Sequence, residues 1–109
     1  GKGSRPRGKL IYALSGGLRF DSLAVDAAGY INVAVLEKGA IPGNAGGICE
    51  ISPEGRGKMI ETGDPMTTNI CFGGEGYSMA YITCSHSGTL RSSPWSRPGF
   101  QLPFHADLL

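Results

Sequence analysis

Ser22-Leu23-Ala24-Val25-Asp26-Ala27-Ala28-Gly29-Tyr30-Ile31-Asn32-Val33-Ala34-Val35 decides the fold class. Leu23 and Val25 alternate with Ser22 and Ala24, the period of an extended strand whose side chains point to opposite faces in turn. Asp26 to Gly29 supply turn residues, and Ile31, Val33 and Val35 then resume the alternation, so the stretch reads as a β-hairpin. Working outward, Pro42-Gly43-Asn44 is a loop, Gly47 to Ile51 a strand, Ser52-Pro53-Glu54-Gly55 a turn, and about Lys58 to Glu61 a fourth strand. Gly63, Asp64 and Pro65 lead into a strand from Thr68 to Phe72, the turn Gly73 to Gly76, a strand from Ser78 to Cys84, the turn Ser85 to Gly88 and a strand from Thr89 to Ser93. The 18 Gly and seven Pro punctuate short runs, and no segment holds a 3.6-residue apolar stripe. The class is all-β.

The second half repeats the first. Leu23 and Ile70, Val25 and Phe72, Gly29 and Gly76, and Tyr30 and Tyr77 are each 47 positions apart. With one residue inserted, Ile31 to Met79, Val33 to Tyr81 and Val35 to Thr83 are 48 apart. A period of about 40 to 50 residues filled by four short strands is the signature of a propeller blade. Two copies fit a β-sandwich equally well on periodicity alone.

Composition narrows the function classes. Ten Lys and Arg against nine Asp and Glu give a net charge of +1, which points to neither nucleic acid nor an anionic membrane as partner. Lys2, Arg5, Arg7 and Lys9 are interleaved with Gly and Pro and joined by no aromatic, so residues 1–8 read as a flexible basic tail. Cys49, Cys71 and Cys84 are odd in number, far apart and set in apolar runs, which predicts buried free thiols in a reducing, cytoplasmic compartment. No apolar run approaches the roughly 20 residues of a membrane span. His86 and His105 have no second ligand at a metal-binding spacing and read as surface or turn residues. The serines lack a Gly-x-Ser-x-Gly elbow, and the Gly16-Gly17 and Gly73-Gly74 pairs open no helix, so they read as turns.

Several ordered stretches carry a resemblance. Arg19-Phe20-Asp21-Ser22-Leu23-Ala24-Val25-Asp26-Ala27-Ala28-Gly29, then Thr67-Thr68-Asn69-Ile70-Cys71-Phe72-Gly73-Gly74 with Ala80-Tyr81-Ile82-Thr83, and finally Trp95-Ser96-Arg97-Pro98-Gly99 follow one another in the order seen in one family. The chain resembles the C-terminal portion of the gluconolactonase, senescence marker protein (regucalcin) and luciferin-regenerating enzyme-like family. The resemblance implies about two four-stranded antiparallel blades of a six-bladed β-propeller, here blades of about 19–62 and 66–104 in a partial propeller spanning 9–109. Six blades of about 45 residues need roughly 270, so the chain is expected to be incomplete as a lactonase.

The resemblance also implies a divalent metal (Ca, Zn, Mn or Mg) at the channel mouth, held by an early Glu, one or two middle Asn and a late Asp. Only the late position is carried here, as Asp21, which takes the metal-binding and catalytic role by motif match. A hard cation prefers oxygen ligands, and a carboxylate beside it stays ionised. One carboxylate is not a metal site, and Asp21 also reads as a polar strand-start residue. Arg19 lies two residues earlier, so alternation allows both side chains on one side, with Arg19 near a substrate hydroxyl or carboxylate or, as an ordinary surface residue, at a blade edge. Thr68 and Asn69 take the places of Asp21 and Ser22 in the 47-residue register, as substrate-binding candidates at the mouth or as ordinary turn formers.

Two functions follow as expectations. One is the C-terminal part of a metal-dependent sugar-lactone hydrolase, with a small lactone as substrate and activity dependent on the remainder of a longer chain or on further copies. The other is a non-catalytic propeller fragment that acts as a self-assembling or binding module, since exposed strand edges and apolar faces favour homo-oligomers. Three two-blade chains would close a six-bladed ring.

Overall fold

The computed structural model describes residues 8–37 and 46–101, and within them the chain forms two antiparallel sheets. The first has the order β1 (Leu18–Val25), β2 (Ile31–Glu37), β3 (Gly47–Ile51), β4 (Gly57–Glu61). The second has three strands, β5 (Thr67–Gly73), β6 (Met79–Cys84) and β7 (Thr89–Pro94), with a short 3-10 turn at Glu75–Tyr77 between β5 and β6. Every strand anticipated from alternation is present; β1 begins four residues before Ser22, the other ends move by two residues or fewer, and the second sheet has three strands where a four-stranded blade is expected. Among the described residues no helix is long and apolar enough to cross a membrane.

The first turn is held by Asp26, whose Oδ1 accepts from the backbone N–H of Ala28 and of Tyr30, both at 3.0 Å. Gly29 closes it at φ +84°, a left-handed conformation that costs a glycine nothing. Beyond the turn, Leu23 pairs with Val33, and in the second sheet Ile70 pairs with Ile82. The first strands are therefore offset by 47 positions, but the second strands by 49, not the 48 that matching apolar residues suggests. The one-residue difference matters, because side chains alternate and a slip of one exchanges the faces. In the structure Val33 and Val35 correspond to the buried Ile82 and Cys84, whereas Tyr81 and Thr83 lie on the opposite face and are half-buried.

The sheets pack face to face. Ala34 and Ile48 of the first meet Ile70, Ala80, Ile82 and Cys84 of the second, with Ala24, Phe72 and Trp95 at the margin. Ile48 and Ile70 are essentially fully buried, and each contributes about 1.5–3 kcal/mol relative to exposure. The other face of the first sheet carries Val33, Val35, Cys49 and Ile51, covered by Tyr12, Leu14 and Leu18 of the segment that precedes and opens β1. That cover is partial: Phe20, Leu23 and Val25 on this face remain 38, 56 and 42% exposed. Leu90 on the outer side of the second sheet is 68% exposed.

The thiols depart from expectation in one case. Cys49 and Cys84 are buried and free, but Cys71 is exposed because it pairs with Tyr81 on the uncovered face of the second sheet. Burial pushes the Cys49 thiol up, with the neighbouring Glu50 charge acting in the same direction. Burial, then the Asp64 charge, does the same at Cys84.

Candidate functional site

β1 and β5 carry the same irregularity at the same place. Between Phe20 and Leu23, β1 has one residue more than its partner β2, and β5 has one more than β6 between Thr67 and Asn69. A β-bulge of this kind breaks the alternation, bends the strand and re-aims the side chains within it. In β1 the bulge lies at Asp21 and Ser22, and in β5 it lies at Thr68, so the two positions matched by the 47-residue register are both bulges.

Asp21 is exposed, and its carboxylate makes no hydrogen bond or ion pair among the described residues. Arg19 is exposed on β1 opposite Leu36. The bulge begins after Phe20, so the alternation that would set Arg19 and Asp21 side by side does not run through it. Thr68 is half-buried, and its Oγ1 lies 3.0 Å from Thr83 Oγ1 and 2.8 Å from Ser85 Oγ, forming a chain of three hydroxyls. Asn69 is exposed but turns back on the backbone, its Oδ1 accepting from Ile70 N–H at 2.8 Å. That leaves the amide NH2 as its outward group.

The most strongly organised polar groups lie elsewhere, at residues to which sequence reading assigns no role. After β7 the chain turns back to the first sheet, where Gly99 bridges to Asp26 and Phe100 N–H donates to Val25 O at 3.1 Å. Arg97 Nε donates to Asp26 Oδ2 at 2.7 Å, and its Nη2 lies 2.9 Å from Glu50 Oε1. The guanidinium carbon sits 3.8 Å over the centre of the Tyr30 ring. Trp95 Nε1–H donates to Asn32 Oδ1 at 3.2 Å, and Asn32 Nδ2 donates in turn to Asp26 Oδ2 at 3.2 Å. Burial alone would lower the Arg97 pKa, but its hydrogen bonds to Asp26 and Glu50 and their charges raise it overall. The separation of Asp26 from Arg97 by 71 residues hides this pairing from local reading. Once the structure shows Asp26 to be wholly buried, the need for a cation beside it follows.

A second buried carboxylate ties the other end of the second sheet. Asp64, 3% exposed, accepts at Oδ1 from Met66 N–H and His86 N–H and at Oδ2 from the N–H and O–H of Ser87. Burial opposes its ionisation, yet these four donors hold its carboxyl below the usual range. They also fix the turn that carries Ser85 against Thr68. His86 is exposed in that turn, as expected; His105 lies outside the described residues.

Compared with family models, the chain matches the SMP-30/Gluconolactonase/LRE-like region over residues 2–86. The chain belongs to this family. The match takes in both bulges and Asp64, ends before Ser87, and stops short of the Trp95–Gly99 stretch, so Arg97 stands outside it and its partners Asp26 and Glu50 within. Members of the SMP-30/Gluconolactonase/LRE-like family generally depend on a metal ion. Asp21 is a suitable hard oxygen donor, but no group of three His, Cys, Asp or Glu that could hold a metal occurs among the described residues. The described residues alone therefore do not make the metal site of an SMP-30/Gluconolactonase/LRE-like enzyme.

Proposed function

We propose that the chain is the C-terminal part of a six-bladed β-propeller that hydrolyses sugar lactones with a divalent metal, and that Asp21 is its contribution to the metal shell. One observation carries the reading: an exposed carboxylate without a partner sits in a β-bulge, beside a strand bulged at the matching position, in a member of this family. Bulges are concentrated next to active sites because they turn a side chain out of the ladder. Asp21 acts here as one oxygen ligand, and the remaining ligands come from outside the described residues. Thr68 and the outward amide of Asn69 supply neutral hydrogen-bonding groups suited to substrate hydroxyls, with Arg19 as a cation on the same strand as Asp21. The site is cytoplasmic in this reading.

The test is metal titration and lactone hydrolysis on protein containing all blades, with Asp21→Ala as the comparison. Loss of metal affinity and of hydrolysis, with the fold retained, supports the assignment; a variant that binds metal and turns over like the parent sinks it.

A second reading is favoured by the apolar residues left open on both outer faces, Phe20, Leu23 and Val25 on one side and Leu90 on the other. By the register, the open face of the first sheet corresponds to the face by which the second sheet packs on the first. In this reading the chain is a non-catalytic module that self-assembles, three copies closing one ring. Light scattering on a size-exclusion column separates the two: a particle of three chains favours assembly, and a monomer or polydisperse material favours part of a longer enzyme.

A further inference from the structure

β1 is the edge of the first sheet, and the side of it away from β2 has a backbone neighbour only beside the turn. There Ala27 N–H donates to Pro98 O at 2.8 Å, Phe100 N–H donates to Val25 O at 3.1 Å, and Asp26 bridges antiparallel to Gly99. These contacts set a register: Gly99 faces Asp26, Phe100 faces Val25, and each later residue of the returning segment falls one residue earlier in β1. The described segment stops at Gln101, level with Ala24. Leu23 is the next position along this edge. Asp26 N–H donates to Tyr30 O across the hairpin, so alternation along the ladder turns the Leu23 N–H and C=O away from β2, to the side where Phe100 meets Val25. Among the described residues no backbone group meets them there. An open strand edge of this kind is a template for another strand.

Residues 102–109 lie outside the described ones, and their sequence fits this edge. Phe100, Leu102, Phe104 and Ala106 are apolar, with Gln101, Pro103, His105 and Asp107 between them. Period two is the pattern of a strand with one face toward apolar surroundings. The apolar set also falls on the right face, because Phe100 pairs beside Val25 and the same register sets Leu102 beside Leu23, which is 56% exposed. Pro103 checks the register independently. It has no N–H, and by the register it stands, like Gln101, where an N–H would point away from β1, so no ladder bond is lost.

We propose that residues 102–104 prolong the returning segment as a strand on the open edge of β1, antiparallel to it, with Leu102 covering Leu23 and Phe104 reaching the bulge that carries Asp21. The occupant of the edge is the chain's own continuation, and its placement follows from pairing and not from the role proposed for Asp21. Amide hydrogen exchange of the whole chain, followed by NMR, tests it. The Leu23 amide is expected to exchange about tenfold or more slowly in the parent than in Leu102→Asp with Phe104→Asp. Leu102→Pro, which removes the donor to Leu23 O but keeps an apolar side chain, is expected to release Leu23 in the same way. The Val33 amide, inside the sheet between β1 and β3, is expected to exchange equally in all three and reports that the fold is retained. Equal exchange of Leu23 in the parent and either variant overturns the proposal. Protection of Leu23 that rises with protein concentration also overturns it, by giving the edge to a second copy.

Discussion

Arg97 Nε and Asp26 Oδ2 meet at 2.7 Å across 71 residues of chain, and Asp26 is wholly buried. Removing the cation leaves Asp26 with its amide donors but no compensating charge, and Glu50 loses its partner as well. Arg97→Ala is therefore expected to cost about 3 kcal/mol, the order found when one member of a buried pair is deleted. Arg97→Lys is expected to recover only part of this, since an ammonium cannot span both carboxylates while stacking on Tyr30. Urea denaturation of the three proteins measures both differences.

Trp95 is the only tryptophan of the chain, and its fluorescence reports whether the returning segment is docked. Trp95→Phe keeps a ring beside Phe72, 6.4 Å away centre to centre, but removes the donor to Asn32 Oδ1. With Asn32 buried, the stranded acceptor is expected to cost about 1–3 kcal/mol. The midpoint of unfolding followed by circular dichroism is the readout.

Gly99 tests how closely that segment approaches the second sheet. A Cβ there would lie 2.3 Å from Phe72 Cβ, at a position with no positive φ to account for glycine. Gly99→Ala is expected to destabilise by about 1–3 kcal/mol through overpacking. Pairing it with Phe72→Gly, which removes the clashing Cβ and the ring, in a double-mutant cycle should return part of the loss if this contact is the cause.

Asp64 sets an acid limit. Its folded carboxyl titrates below its unfolded value, near 3.9 for an aspartate, so its contribution is present above that value and is lost as pH falls through the folded one. Stability measured between about pH 6 and pH 2 should fall along this limb. Asp64→Asn should flatten it and lower stability at neutral pH, because an amide nitrogen faces donors already aimed at Oδ1 or Oδ2.

The strands were legible because alternation and turn chemistry are local: the hairpin around Asp26 to Gly29 and the strand Gly47 to Ile51 stand where their residues put them. The offset of the second strands was misjudged by one, since Val33 resembles Tyr81 as much as Ile82 when only apolar character is compared. Pairing with β5 decides that register, and pairing is a tertiary fact. Asp21 and Thr68 were visible as equivalent positions, but the bulge they share depends on counting residues against a partner strand. Trp95 to Gly99 carried a resemblance without a role, because its partners Asn32, Asp26 and Glu50 lie more than 45 residues earlier. A carboxylate gives no sign in sequence of whether it will be buried, which is why Asp64 read as a mere linker.

Asp21 separates function from fold. Being exposed and without bonds, it should tolerate Asp21→Ala within about 0.5 kcal/mol, as judged by thermal melting. A substantially larger loss would mean that the carboxylate supports the bulge rather than a ligand.

The return of the last described segment to the first sheet also imposes an order on biosynthesis. A ribosome delivers Asp26 and Glu50 long before Arg97, so the first sheet emerges carrying two carboxylates destined for burial and no cation to meet them. Until residue 97 leaves the exit tunnel the first sheet lacks the cation that meets both carboxylates in the finished fold, so it is expected to complete its packing only after that point.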